Sequence, residues 1–148
     1  MPDATNVWDD VPDWGGVGAR RLARSPHGRL GASVWELRPG AAQLVYHFHH
    51  ASEELLVVLR GTPTVRLHDG DRSLEAGEVV SLPRGPDGGH QIRNDSENIA
   101  RVLIVSTNAE PDVAEYPDSG KVGLITAGSD WAFFRRSDAA PHAGKEPD

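Results

Sequence analysis

The sequence predicts an all-β fold, a single sandwich or barrel of short strands, and three features point to it. Sixteen glycines and eleven prolines among 148 residues suit tight turns better than long helices. Apolar and polar residues alternate in short segments, the period of a half-buried strand. Turn-forming residues interrupt those segments about every ten residues, the rhythm of a sandwich or barrel and not of alternating strands and helices. The length suits one compact domain. A hydrophobic content of 38% provides one core, and no internal repeat suggests a fused pair.

The elements follow in order. Residues 1–27 mix Trp8, Trp14, prolines, glycines and charges without periodicity. They are expected to form an arm lying over the barrel, with room for one short strand. The barrel is expected over residues 28–136. Residues 31–37 alternate as a strand that Arg38-Pro39-Gly40 ends. Residues 43–49 form a second strand and 54–59 a third, rich in Leu and Val. Residues 62–68 and 72–74 read as a hairpin, because Asp69-Gly70 supplies the positive φ angles of a tight turn. Strands at 78–82, 90–94 and 100–107 follow. Residues 108–120 are expected to be a loop carrying Tyr116-Pro-Asp-Ser-Gly, with late strands at 122–125 and 131–134. From 137 to 148 the chain turns to Asp, Ala, Pro, Gly and Lys, a composition that predicts a disordered tail.

Charge and composition exclude several classes of function. A formal net charge of −7 and an isoelectric point near 5.4 disfavour attraction to phosphate backbones, so no nucleic-acid partner is expected. No apolar run approaches the ~20 residues that span a bilayer, so no membrane association is expected. The start, Met1-Pro-Asp-Ala-Thr-Asn, is acidic with no apolar stretch behind it, and predicts a cytoplasmic protein without a signal peptide. The absence of cysteine removes disulfides and thiolate ligands. Any metal here rests on nitrogen and oxygen.

Residues two apart on a strand share a face, so His47 and His49 project together while Tyr46 and Phe48 point the other way. Two adjacent imidazoles make half of a nitrogen-ligand site. Glu54, at the head of the next strand, offers a carboxylate from a neighbouring position. On these residues alone, a metal site and a chance cluster facing solvent both remain open.

The run Gly40…His47-Phe48-His49…Glu54…Gly61 resembles the first signature of the cupin superfamily. Gly77…Pro83-Arg84-Gly85…His90…Asn94 resembles the second. Gly40 precedes His47 by one residue more than the usual form, and the loop before His90 is two residues longer than the short form. The resemblance spans residues 40 to 94 and, with the strand pattern, extends to about residue 107. It implies a double-stranded β-helix, the jelly-roll barrel, with His47, His49, Glu54 and His90 pointing inward onto one metal ion. The spacing from Glu54 to Gly61 matches the signature and favours Glu54 over Glu53. Tyr46-His-Phe-His-His…Glu-Glu-Leu-Leu, taken with Tyr116-Pro-Asp-Ser-Gly-Lys121, also looks like a narrower group of small bacterial cupins. That likeness adds to the fold and the metal site but names no reaction.

Other polar residues have plainer readings. His50 is expected on the barrel exterior, His68 at an exposed hairpin, and His27 and His142 in solvent. Asn94 either supports the site or caps a turn, and Gln43 either touches a ligand or packs near the rim. Tyr116, Asp118 and Lys121 either serve a substrate or belong to a structural turn, and the turn is preferred. Gly61 and Gly77 are expected at turns with unusual backbone angles.

These readings predict a metal-dependent enzyme acting on a small organic molecule. Its cofactor is one divalent transition metal (Fe, Mn, Zn, Ni or Co), and its chemistry is of dioxygenase or isomerase/decarboxylase type. A non-catalytic ligand-binding barrel with a structural metal is the alternative. Apolar residues on both faces of 54–59, together with Tyr46 and Phe48, predict surface that a second copy covers, and hence a homodimer.

Overall fold

A computed structural model describes residues 4–24, 29–126 and 131–140. Among them lie twelve strands: β1 (Val17–Arg24), β2 (Gly31–Leu37), β3 (Ala42–His49), β4 (Glu54–Arg60), β5 (Thr64–Leu67), β6 (Gly70–Ser73), β7 (Val79–Leu82), β8 (His90–Arg93), β9 (Ala100–Ser106), β10 (Asp112–Tyr116), β11 (Lys121–Ile125) and β12 (Trp131–Arg135). They form two antiparallel sheets that face each other as a jelly roll. One runs β1-β2-β9-β4-β7 and the other β12-β11-β10-β3-β8-β5-β6. Four of the antiparallel pairs, β1–β2, β5–β6, β10–β11 and β11–β12, join consecutive strands, and the other neighbours come from strands further apart in the chain.

The inward face of each central strand changes character along its length. On β4 it reads Glu54, Leu56, Val58; on β8, His90 then Ile92; on β9, Ser106, Ile104, Val102. The apolar ends meet in one cluster with Leu37, Val65, Leu74 and Leu82. Each such aliphatic side chain contributes ~1.5–3 kcal/mol by leaving water. The polar ends gather at the opposite end of the interior.

Two motif glycines have a steric reason. Gly61 sits at φ +77°, where a Cβ would lie 2.6 Å from the Ile99 carbonyl oxygen. Gly77 sits at φ +94° in the turn before β7, and its N–H donates to the Val58 carbonyl.

Several expectations are corrected. The expected loop 108–120 contains β10, which pairs with both β3 and β11. Its inward residues are Asp112, Ala114 and Tyr116, so no apolar alternation marks it as a strand. The arm contains the one strand it had room for, but at eight residues, 17–24, it is longer than expected and forms the edge beside β2. The residues before it are tied down by Arg101, whose guanidinium donates to the Val7 and Asp9 carbonyls and to Glu36. Tyr46 and Phe48 face away from the histidines as expected, but the chain itself buries them. Arg66 lies 4.1 Å from the Tyr46 ring centroid, and His50 packs on Phe48 at 5.3 Å. They add no free apolar surface. The tail begins with a short 3-10 turn at Arg136–Asp138. Residues 141–148, with His142, and His27 lie outside the described residues.

Candidate metal centre

Two neighbouring strands of one sheet, β3 and β8, and β4 of the other sheet supply the polar cluster. His47 and His49 project from one face of β3, with ring centroids 5.2 Å apart. The β3–β8 register sets His90 directly opposite His47, and their rings lie 4.6 Å apart. That register is irregular. Gln43 pairs with Ile92 and His47 with His90, so β3 spends four residues where β8 spends two. Leu44, at φ +47°, takes up the excess as an outward bulge. Because the excess is even, Gln43 and His47 stay on the same inward face. Glu54 enters from the head of β4.

His47, His49 and Glu54 each offer a ligand atom within 4.8 Å of the other two. His90 Nε2 lies 3.3 Å from Glu54 Oε2. The structure therefore groups His47, His49 and Glu54 as candidate ligands and sets His90 beside Glu54 without placing it within the same mutual distance. Bonds of ~2.0–2.2 Å place donor atoms ~4 Å apart across an ion, a spacing that the group of His47, His49 and Glu54 approaches.

The second ring nitrogens test whether the donors suit a metal. His47 Nδ1–H donates to the Val45 carbonyl at 2.9 Å, and His90 Nδ1–H donates to the Gly88 carbonyl at 2.9 Å. His49 Nδ1–H donates to Asp112 Oδ2 at 2.8 Å. In all three the acceptor fixes the proton on Nδ1 and leaves Nε2 with its lone pair, the arrangement of metal-bound imidazoles. Three such nitrogens and one carboxylate fit a divalent transition ion.

Electrostatics favour the neutral ring at His47 and His90 and pull His49 the other way. Burial, reinforced by His90, pushes the His47 imidazole down to about 3, so it is neutral at any ordinary pH. Burial also lowers His90, with Glu54 opposing. Burial works against charge on His49 too, but the Asp112 hydrogen bond and the Glu54 and Asp112 charges outweigh it and raise its pKa. Asp112 is drawn down to about 2, since its hydrogen bonds from His49, Ser52 and the Ala51 N–H overcome the cost of burial.

A cavity of about 260 Å³ adjoins the cluster. Tyr116 forms part of its wall, its ring stacked 5.7 Å from that of His47. Asp112 and Tyr116 both come from β10. Asp112 was missed because its stretch read as loop; its one sequence signal is its two-residue spacing from Ala114 and Tyr116. Of the expected turn, Tyr116 reaches the cavity while Asp118 pairs outward with Arg66 at 2.6 and 2.9 Å. Lys121 is exposed at the start of β11.

The remaining candidates, Gln43 excepted, are structural. His50 is exterior and pairs with Glu115 at 2.8 Å, and Glu53 is exposed beside Arg84 at 3.2 Å. His68 is exposed. Asn94 is buried and caps its turn, donating to the Leu37 and Asn98 carbonyls and accepting from Ser96. Gln43 lines the cavity.

The chain matches the Cupin domain family over residues 33–106, half its length. No curated protein matches the sequence. Among solved structures it is similar to a sugar phosphate isomerase of the cupin superfamily from Silicibacter pomeroyi. That likeness has 25% identity over 86% of this chain and 82% of the other, with a TM-score of 0.73. KdgF from a Halomonas species shares 20% identity over 72% and 93% of the two chains, at a TM-score of 0.59. The polyketide cyclase RemF from Streptomyces resistomycificus shares 24% over 72% and 79%, at 0.58. These last two likenesses carry the barrel fold alone.

Proposed function

This chain belongs to the cupin family, and within it we propose a metal-dependent enzyme acting on a small polar molecule, with one divalent ion held by His47, His49, Glu54 and His90. The observation that carries this reading is the anchoring of all three imidazoles through Nδ1, which frees three Nε2 atoms beside one carboxylate. Iron, manganese, zinc, nickel and cobalt all suit such donors. Four protein donors leave room on a six-coordinate ion, and the adjoining cavity favours a ligand site over a closed structural one. When bound, the ion supplies Lewis-acid polarisation of a ligand oxygen.

The chain's own residues divide the other tasks. Asp112 holds the His49 ring in one orientation and one tautomer. Burial raises the Tyr116 pKa, so its phenol keeps its proton at neutral pH and offers a donor at the cavity wall. Isomerase-type chemistry is preferred to a dioxygenase reaction because the Silicibacter pomeroyi protein is a sugar phosphate isomerase.

The test is elemental analysis of protein purified without added metal, beside the His47→Ala/His49→Ala double variant. About one transition ion per chain is expected in the wild type and under a tenth of that in the variant. Equal metal in both would end the assignment.

Homodimer formation is part of the same proposal, on surface that keeps the outer face of β4 but not Tyr46 and Phe48, which are buried. Trp131, Phe133 and Phe134, all on the edge strand β12, are each more than half exposed. Leu55 and Val79 are exposed on the β4–β7 pair. Two-fold pairing is the commonest way to cover such apolar area. Light scattering at micromolar concentration is expected to give twice 16.0 kDa; a monomeric mass would rule it out.

A further inference from the structure

Two polar groups of the cavity are left without partners, and they differ in kind. Gln43 is only 5% exposed, yet its Oε1 makes no hydrogen bond; among the described residues it is the one buried side-chain oxygen or nitrogen so placed. An unmet buried acceptor is costly, and the rest of this interior satisfies its polar groups closely. Gln43 stands between the histidine cluster and the apolar plug, since it pairs with Ile92 while His47 pairs with His90. It therefore faces the deep end of the cavity.

The second group is at the rim. Antiparallel partners share a face, and Arg21 pairs with Ser33, which lines the same cavity. A bulge after Arg21 shifts the register, so Arg24, three residues on, reaches that side as well. The two arginines then part company. Arg24 is ion-paired with Glu110, whereas Arg21 has no carboxylate partner among the described residues. The other acidic groups of the wall are also engaged: Asp112 with His49, and Glu54 with His90. Among the described residues Arg21 is left as a guanidinium with no carboxylate paired to it.

We infer that the cavity binds a small polyhydroxylated anion, with its anionic group on Arg21 and a hydroxyl on Gln43. A hydroxyl both donates and accepts, so it satisfies the glutamine amide in either orientation. Phosphate and carboxylate are both matched by a guanidinium fork, so the anion is a sugar phosphate or a sugar acid. A cavity of about 260 Å³ lies below the ~300–1,000 Å³ of drug-sized sites and suits a chain of a few carbons. The inference rests on the proposed function for its location, and it names the substrate class of that site.

Calorimetric titration separates the two. The probes are D-glyceraldehyde 3-phosphate, D-ribose 5-phosphate, D-fructose 6-phosphate and D-gluconate, with D-ribose and D-fructose as neutral controls. Each is titrated into metal-loaded and metal-stripped wild type, Arg21→Gln and Gln43→Met. At least one anion is expected to bind the wild type, and tenfold or more weaker to Arg21→Gln, while any binding of neutral sugar changes less than twofold. Gln43→Met is expected to weaken sugar and anion alike by about tenfold. A phosphate or a carboxylate preference identifies the anion. No binding by any anion, or equal binding to wild type and Arg21→Gln, overturns the inference. Because Gln43→Met alters a buried position, a crystal structure of the wild-type complex is the second measurement. It is expected to show a ligand hydroxyl on the Gln43 amide; water alone there overturns the Gln43 assignment. Wild type that holds no metal but discriminates through Arg21 would sink the proposed function and leave this inference standing.

Discussion

The two ends of the barrel interior are built from the same strands and behave as opposites. At one end Leu37, Leu56, Val58, Val65, Ile92 and Val102 close on one another with no side-chain polar group to satisfy. At the other, His47, His49, Glu54 and His90 converge, and each imidazole needs a further partner behind it, from Val45, Asp112 or Gly88. Apolar packing is non-directional and tolerates any complementary shape. Imidazole orientation is directional and depends on single acceptor atoms. The plug therefore stabilises the fold, while the polar end stores geometry.

That contrast is most easily broken at the plug. Leu56→Ala removes a fully buried side chain, and about 2–5 kcal/mol of unfolding free energy is expected to go with it. Urea denaturation measures the loss, and metal content per folded chain is expected to stay at the wild-type level. If metal is lost along with stability, the two ends are not separable. At the polar end, Asp112→Asn keeps the shape but removes the charge that holds His49. A tenfold to hundredfold fall in metal affinity is expected, read by competition with a chromophoric chelator, with little change in the urea midpoint. Unchanged affinity would strip Asp112 of its positioning role.

Acid sharpens the comparison because it acts on the polar end alone. In the metal-free protein the folded His47 pKa of about 3 lies below its unfolded value of ~6.5. Between those values the unfolded chain binds more protons, so stability rises with pH and is lost as pH falls from ~6.5 towards 3. His90, also lowered, acts in the same direction, while His49, raised, opposes them with stability present below ~6.5. Thermal melting of stripped protein from pH 7.5 to 4 is expected to show a falling Tm, and His47→Gln is expected to flatten that fall. A profile identical in both would mean His47 is not held neutral. The smallest effect belongs to Glu53→Ala. Glu53 is exposed and pairs only with Arg84, so a change below ~0.5 kcal/mol and unaltered metal content are expected. Lost metal would transfer the carboxylate role from Glu54 to its neighbour.

Residues on regular strands were legible in the sequence, and residues whose meaning depends on a distant partner were not. The pair His47 and His49 could be read because a strand has a period of two, and Gly61 and Gly77 because a left-handed backbone excludes most side chains. Asp112 could not, since its acceptor role is to a residue 63 positions away and its strand presents a carboxylate, an alanine and a tyrosine inward. Tyr46 and Phe48 illustrate the converse. Their outward direction was correct, but the Arg66 that covers Tyr46 comes from another strand.

By itself the sequence determined the all-β class and nearly all the central strands, because alternation and turn chemistry are local properties of the chain, and its motifs marked out four polar side chains as candidate ligands. Only the tertiary structure decided the tautomers of three imidazoles, the place of Asp112 behind His49, and the burial of an unpaired Gln43. It alone decided which of two neighbouring arginines is neutralised. Each of those depends on strands brought together from far apart in the chain, and hydrogen bonds and ion pairs exist only at the distances that folding sets.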